Sequence, residues 1–202
     1  MKTFLITVAA AALLATSATA ATTVSVNQGY QFNHDGVDAT FYSGSVATRL
    51  PESPISVDIF LKDSVPLGAT LRSGSKQRIE VGASSQVVGP TYFRVAVGEA
   101  VHDYPYHFIR KSGKFVLTPT AVDHQYYSLT AGLKVPLTQK VTLGLSEKYE
   151  NTFVNTNQFE TWTSGASVSY ALTKNIALKS SYEYIAGNTR SDALSVGAAL
   201  SF

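Results

Sequence analysis

Apolar and polar residues alternate along most of the chain with a period of two. The last segment shows the pattern clearly, since Leu194, Val196 and Leu200 fall at every second position between small or hydroxyl residues. A period of two places successive side chains on opposite faces of a strand. The same alternation predicts strands at residues 22–32, 37–48, 55–63, 76–86, 91–101, 124–135, 140–150, 159–171, 175–185 and 192–202. No later stretch carries a sustained helical apolar stripe, so we expect almost no helix.

Compact and longer connections alternate between these segments. The compact breaks contain turn-forming residues and fall at residues 50–54, 88–90, 136–139 and 172–175. The other breaks are often longer and more polar, near residues 33–36, 63–75, 102–123, 151–158 and 186–191. This asymmetry is typical of a membrane barrel with short periplasmic turns and longer outer loops. We therefore predict an all-β fold, a closed antiparallel up-and-down transmembrane β-barrel of ten strands, with eight as the alternative.

The two faces of the predicted strands differ in composition. The outer face of a soluble barrel carries many lysines and glutamates, whereas here the non-apolar face is mostly Ser, Thr, Gly and Ala. The apolar face carries aromatics near its ends, as do the interfacial girdles of membrane barrels. These predicted girdle residues are Tyr127, Tyr149, Trp162, Tyr170, Tyr182, Tyr184 and Phe202. We expect the apolar face to contact lipid and the small residues to line the lumen.

Composition supports this interpretation and excludes several others. Hydrophobic residues make up 45% of the 202 residues and charged residues 15%, which is below the roughly 25% usual in soluble domains. The formal net charge is +2, which gives no basic footprint for nucleic acid. The absence of cysteine excludes disulfides, thiol nucleophiles and cysteine metal sites.

The first twenty residues have the order of a secretory signal peptide. Lys2 supplies a positive charge, residues 4–14 are apolar, and Ala18, Thr19 and Ala20 are small. The apolar run is shorter than the roughly 20 residues that a membrane helix needs. We predict a signal peptide at residues 1–20, cleaved after Ala20, and a barrel domain at residues 21–202; the alternative is an uncleaved anchor.

The C-terminal hairpin resembles the last hairpin of Gram-negative outer-membrane β-barrels. It consists of a turn at residues 172–175 and an alternating strand that ends in Phe202. The chain broadly resembles small barrels such as the OmpA transmembrane domain and OmpX, or a porin-like barrel. The resemblance implies that Leu200 and Phe202 form the signal read by the barrel-assembly machinery. It also implies an outer-membrane location and contact with outer-membrane lipid and lipopolysaccharide, and we expect a monomer.

Charged residues on the polar face are expected to point into the lumen. Because an isolated charge in a narrow, partly dehydrated lumen is costly, these residues need partners. One interpretation is a salt-bridge network that fills the interior. The other is a narrow pore whose surplus of positive charge favours small anions. The residues concerned are Asp58, Lys62, Arg78, Glu80, Arg94, Lys134, Lys148, Glu150, Lys179 and Glu183.

Enzymatic activity has weaker support. The four histidines fall in predicted outer loops, and three have a neighbouring aspartate, as in His34-Asp35, His102-Asp103 and Asp123-His124. An Asp–His pair is chemically sensible, but adjacent residues on a strand point to opposite faces. We predict no enzyme, no cofactor and no metal site.

The expected function is a structural or porin-like role in the outer membrane, with surface loops available for recognition and small solutes or ions as possible partners. Two alternatives remain. The first is a soluble periplasmic barrel that binds a small ligand. The second is an outer-membrane hydrolase or acyltransferase that uses the rim Asp and His residues. The long break at residues 102–123 is expected to form a hairpin extension or an ordered outer loop, and its aromatic and basic residues suit lipopolysaccharide phosphates.

Overall fold

Ten antiparallel strands close into one barrel in the computed structural model, which confirms the predicted fold and strand number. The structure describes residues 21–34, 37–68, 75–111, 114–153, 160–187 and 190–202, and the side chains of these ranges apart from residues 103–122. The predicted signal peptide lies outside the described residues. The strands are β1 (Thr22–Asn33), β2 (Ala39–Arg49), β3 (Ile55–Pro66), β4 (Lys76–Gln86), β5 (Thr91–Lys111), β6 (Lys114–Pro136), β7 (Val141–Thr152), β8 (Thr161–Ala171), β9 (Ile176–Gly187) and β10 (Ser191–Ser201). In the described part of the chain, no helix is long and apolar enough to cross a membrane.

Each strand pairs with its neighbours in sequence, and β1 closes the barrel against β10. Val26 lies opposite Ala198 at the centre of this seam. The seam continues to the C-terminus, where the Phe202 amide donates to the Thr22 carbonyl at 2.9 Å. Closure leaves no unpaired strand edge, which is the condition for a sheet to lie in lipid.

Strands β5 and β6 are about twice as long as the others. They contain 21 and 23 residues, and their pairing continues to Lys111 and Lys114 with a register shift between Tyr104 and His107. The expected hairpin extension is therefore present, although residues 112 and 113 lie outside the described residues.

The prediction that the histidines lie in outer loops is wrong for three of the four. His102, His107 and His124 lie in β5 and β6, not in loops; only His34 lies at a strand end, just beyond β1. The apolar alternation stops after Val101, but the backbone ladder continues. The hydrogen bonds between two strands do not require an apolar face, so the pattern underestimated the strand length.

The compact connections lie together at one end of the barrel, here called the short-turn end; the opposite end is the long-loop end. Two of the compact turns use the same local device. The Thr138 hydroxyl accepts from the Val141 amide at 3.0 Å, and the Thr173 hydroxyl accepts from the Ile176 amide at 3.0 Å. Such side-chain caps satisfy amides that a tight turn leaves without a ladder partner.

The apolar side chains of the barrel point outward, as the alternation predicted. Val196 is 66% exposed and Val97 54%, whereas the inward-facing Ala100 and Tyr126 are each 1% exposed. Cross-strand partners share a face, so the register extends this outer apolar surface from strand to strand. A folded protein in water would bury such a surface, whereas lipid accommodates it.

Candidate functional site: the barrel lumen

Large side chains in the lumen lie against glycines on the neighbouring strand. A Cβ atom added at Gly82 would lie 2.6 Å from the Arg94 guanidinium, and one at Gly98 would lie 2.6 Å from Tyr126. Tyr92 occupies the corresponding place over Gly132. Alternating small and large residues in this way lets a narrow barrel hold long side chains without forcing the strands apart.

Glu80 on β4 is the centre of an ion-pair network inside the barrel. Its side chain is 2% exposed. One carboxylate oxygen accepts from Lys148 Nζ at 2.9 Å and from the Tyr126 hydroxyl at 3.1 Å, and the other is paired with Arg94. A buried carboxylate is tolerated when hydrogen bonds and opposite charges replace its lost hydration. Glu80 has both.

The network extends in two directions from Glu80. Arg94 Nε donates to both oxygens of Asp58, at 3.1 and 2.9 Å. On the other side, Lys148 Nζ lies 3.2 Å from Glu150, which is also paired with Arg78. Three carboxylates and three cations thus neutralise one another. They come from β3, β4, β5 and β7, with Tyr126 of β6 between them; the lumen-facing side of β3–β7 is here called the charged wall.

Four of the ten predicted lumen charges lie outside this network. Lys62 Nζ lies 4.0 Å from the centre of the Phe41 ring, and Lys134 Nζ lies 5.2 Å from the centre of the Tyr92 ring. Lys179 and Glu183 both lie on β9. Among the residues that the structure describes, none of these four side chains joins an ion pair.

The opposite side of the lumen is here called the hydroxyl wall (β8, β9, β10, β1 and β2). It carries mainly short polar side chains, together with the longer Phe41, Lys179 and Glu183. Ser25 and Ser45 lie 2.7 Å apart, and so do Ser181 and Ser195. Lys179 lies between Gly197 and Ser169 on the adjacent strands and is exposed although it faces the lumen. Lys179 is thus flanked by short side chains on both adjacent strands.

Tyr126 and Lys76 are lumen residues that were not singled out from the sequence. Tyr126 lies on the polar face of its strand, but its hydroxyl accepts from Arg78 Nε at 3.3 Å and so links the network internally. The sequence did carry a signal for Tyr126, because it is an aromatic residue among serines and glycines on a predicted lumen face. Lys76, the first residue of β4, also faces the lumen because it pairs opposite Ser64 and His102. Because Lys76 is the first residue of its strand, the alternation in the sequence did not show which face it occupies.

The predicted aromatic girdle residues lie on the outer face in two groups. Tyr127, Tyr149, Trp162, Tyr182 and Tyr184 lie toward the long-loop end, and Tyr170 and Phe202 lie at the short-turn end. Three rings of the first group, those of Tyr127, Tyr149 and Trp162, are in contact. The Tyr149 and Trp162 centroids are 4.9 Å apart, and Tyr127 lies 5.5 Å from Phe153, which the sequence did not single out.

The partner of His34 is remote in sequence. Its Nε2 atom lies 2.6 Å from an Asp192 carboxylate oxygen, and Tyr182 donates to the other oxygen. Asp35, the sequence neighbour that suggested a dyad, is not described. The His34–Asp192 contact exists because β1 closes on β10, so sequence adjacency could not reveal it. Among the described residues, no group of three or more His, Asp or Glu side chains is arranged to hold a metal ion.

A closed ten-strand barrel with an apolar exterior, aromatic belts and a polar lumen defines an integral β-barrel of the outer membrane. The chain belongs to the porin subfamily, whose family model matches residues 7–199. No curated protein matches it.

Solved structures share the fold at low sequence identity. The translocator domain of the autotransporter NalP from Neisseria meningitidis is 12% identical, with a TM-score of 0.53 over 96% of this chain and 92% of that one. The beta domain of the Bordetella autotransporter BrkA is 14% identical, with a TM-score of 0.53 over 92% of this chain and all (100%) of that one. At such identity the likeness concerns the fold alone.

Proposed function

We propose that this outer-membrane porin-family protein forms a narrow pore that favours small anions. The observation that carries the proposal is the excess of positive charge in the lumen outside the ion-pair network. Outside the neutral ion-pair network, the described strands place Lys62, Lys76, Lys134 and Lys179 toward the lumen, against Glu183. A surplus of fixed positive charge in a narrow passage lowers the energy of anions relative to cations.

The passage runs along the hydroxyl wall. Long side chains of the charged wall reach across their half of the lumen, whereas the serines of the hydroxyl wall pair with each other close to the backbone. The exposed Lys179 lies on this side and contributes charge to the space that the short side chains leave. The long-loop end faces the cell exterior in this proposal, as in other membrane barrels with short periplasmic turns.

The test is single-channel recording from the purified protein in planar bilayers. Under a potassium chloride gradient, we expect discrete conductance steps and a reversal potential of the sign that anion selectivity gives. The double variant Lys134→Gln/Lys179→Gln removes two of the lumen charges and should move the reversal potential toward zero. Lys140→Gln/Lys174→Gln, which removes two charges from the short turns, is the matched control. Cation selectivity in the wild type would contradict the proposal.

A second candidate is a closed, structural barrel without conduction, and the six-charge network favours it. A network that crosses the lumen from Asp58 to Glu150 could fill the interior as well as stiffen it. Folded protein that gives no conductance steps would support this candidate over the pore. In both cases we propose transport or support rather than catalysis.

The partners that we propose follow from the outer surface. The exposed Leu200 and Phe202 serve as the signal for the barrel-assembly machinery, and Phe202 already closes the seam through its amide. Replacing Phe202 by alanine should reduce the amount of folded barrel in the outer membrane, whereas Val196→Ala, on the same strand and face, should not. The long-loop rim contacts lipopolysaccharide. The protein is a monomer, which light scattering in detergent would test.

A further inference from the structure

Basic and hydroxyl side chains converge inside the barrel near its long-loop end. They come from four consecutive strands, β3 to β6, and lie on the long-loop side of the ion-pair network. We call this group the mouth cluster: Lys62, Ser64, Lys76, His102 and His124.

The backbone register brings these residues together. Lys76 lies directly opposite Ser64 on one side and His102 on the other, so the three side chains leave the sheet on the same face. His102 and His124 are diagonal neighbours, with ring centroids 5.6 Å apart in an edge-to-face arrangement. The cluster is thus one continuous patch of the lumen surface.

The electrostatics of this patch favour a bound anion. Arg78 lies at the base of the cluster, but its guanidinium is already paired with Glu150 and bonded to Tyr126. Lys76 lies two residues from Arg78 on the same face of β4, and Lys62 lies directly opposite Arg78, so three cations crowd this part of the lumen. Because charges interact strongly in a partly dehydrated interior, an anion beside Lys76 would relieve this repulsion.

The donor groups indicate which anion fits. Two ammonium groups offer three N–H bonds each, the serine offers one O–H, and each neutral imidazole offers one N–H. These donors come from several directions. A ligand with several oxygens can accept from them together, whereas a halide presents a single atom.

We propose that the mouth cluster binds one small oxyanion, phosphate or a carboxylate, at the entrance of the passage. This inference rests on the proposed function, because the mouth cluster is where the proposed pore would first bind its solute. Lys76 supplies the charge, Lys62 adds charge from β3, and Ser64, His102 and His124 supply neutral hydrogen bonds.

Equilibrium binding tests the site without relying on conduction. Sodium phosphate is titrated into the folded, detergent-solubilised protein in a calorimeter, and a parallel titration uses sodium acetate. Lys76→Gln should weaken phosphate binding about ten-fold, equivalent to about 1.4 kcal/mol. His102→Gln/His124→Gln should weaken it without changing the net charge. Lys134→Gln, which removes a lumen charge near the other end, should lower anion selectivity but change phosphate affinity by less than about two-fold.

The outcomes separate the mouth cluster from the pore. Loss of affinity in Lys76→Gln but not in Lys134→Gln supports the site, even if the protein gives no conductance. A conducting channel that binds neither phosphate nor acetate overturns the site and leaves the pore intact. Equal losses in the two lysine variants overturn it as well, because they indicate a diffuse charge effect. Each variant is first shown to be folded by its shift in gel mobility on boiling.

Discussion

The charged wall and the hydroxyl wall face the same lumen but satisfy their polar groups in different ways. On the charged wall, long side chains leave the backbone and meet one another in the interior, as Arg94 does between Asp58 and Glu80. On the hydroxyl wall, short side chains bond to the next strand, as Ser25 does with Ser45. The first arrangement consumes lumen volume and the second preserves it.

This difference separates two roles within one sheet. A buried ion-pair network depends on every member, because removing one charge leaves its partner uncompensated in a low-dielectric environment. A pair of hydroxyls makes only a modest contribution, since its loss leaves weakly polar groups near water. We therefore assign the rigidity of the barrel to the charged wall, and we place the proposed passage along the hydroxyl wall.

The largest effect is expected from Glu80→Gln. The substitution keeps the shape of the side chain but leaves Arg94 and Lys148 without their shared carboxylate. Breaking a buried ion pair costs about 3–5 kcal/mol. Urea unfolding in detergent, followed by the fluorescence of the single tryptophan, Trp162, measures the loss.

Glu183→Gln is the matched control for this variant, because it neutralises a lumen-facing carboxylate of the hydroxyl wall that joins no ion pair among the described residues. It should cost less than about 1 kcal/mol. Similar losses in Glu80→Gln and Glu183→Gln would remove the distinction between the walls.

A smaller effect is expected from Gly82→Ala. The new Cβ atom would lie within 2.6–2.8 Å of the Arg94 guanidinium, which two carboxylates hold in place, so the network must shift. Overpacking of this kind costs about 1–3 kcal/mol. Gly165→Ala is the control: its Cβ would meet the Ser146 hydroxyl at 2.7 Å, and that group can rotate away. The same unfolding measurement should find Gly165→Ala near wild type.

The sequence predicted the barrel better than it predicted the lumen, for a physical reason. The face of a strand on which a side chain lies depends on a period of two, and neighbouring residues are enough to reveal that period. The outward position of Val196 and the inward position of Glu80 therefore followed from the local pattern. Contacts across the lumen depend on register and closure. The pairing of Glu80 with Lys148, and of His34 with Asp192, joins residues 68 and 158 positions apart, and no local pattern encodes it.

The extended hairpin illustrates a second limit. The strand pattern ended near Val101 because lipid no longer selects alternating apolar residues beyond the membrane. The backbone of β5 nevertheless continues to Lys111 in ladder pairing with β6. Sequence periodicity therefore measured the part of a strand that a membrane or a core selects, and not the full length of the hydrogen-bonded ladder.

Ser195→Leu tests whether the proposed passage follows the hydroxyl wall. The larger apolar side chain would project from β10 into the lumen beside Ser181, so we expect single-channel conductance to fall by about half or more if the proposed narrow passage lies there. Val196→Leu changes the next residue on the same strand, which faces lipid, and should leave conductance unchanged. An unaltered conductance in Ser195→Leu would place the passage elsewhere in the lumen.

The smallest effect is expected from removing a single hydroxyl of the hydroxyl wall. Ser181→Ala deletes one member of the 2.7 Å pair with Ser195, which should cost about 0.5–1.5 kcal/mol by urea unfolding. Ser195→Ala should cost a similar amount, and the double variant should cost little more than either alone, because both single variants break the same bond. Strictly additive losses would mean that the two hydroxyls act separately, each with water. In that case the hydroxyl wall would preserve lumen volume through its short side chains alone, and its interstrand hydroxyl bonds would contribute nothing further to the stability of the barrel.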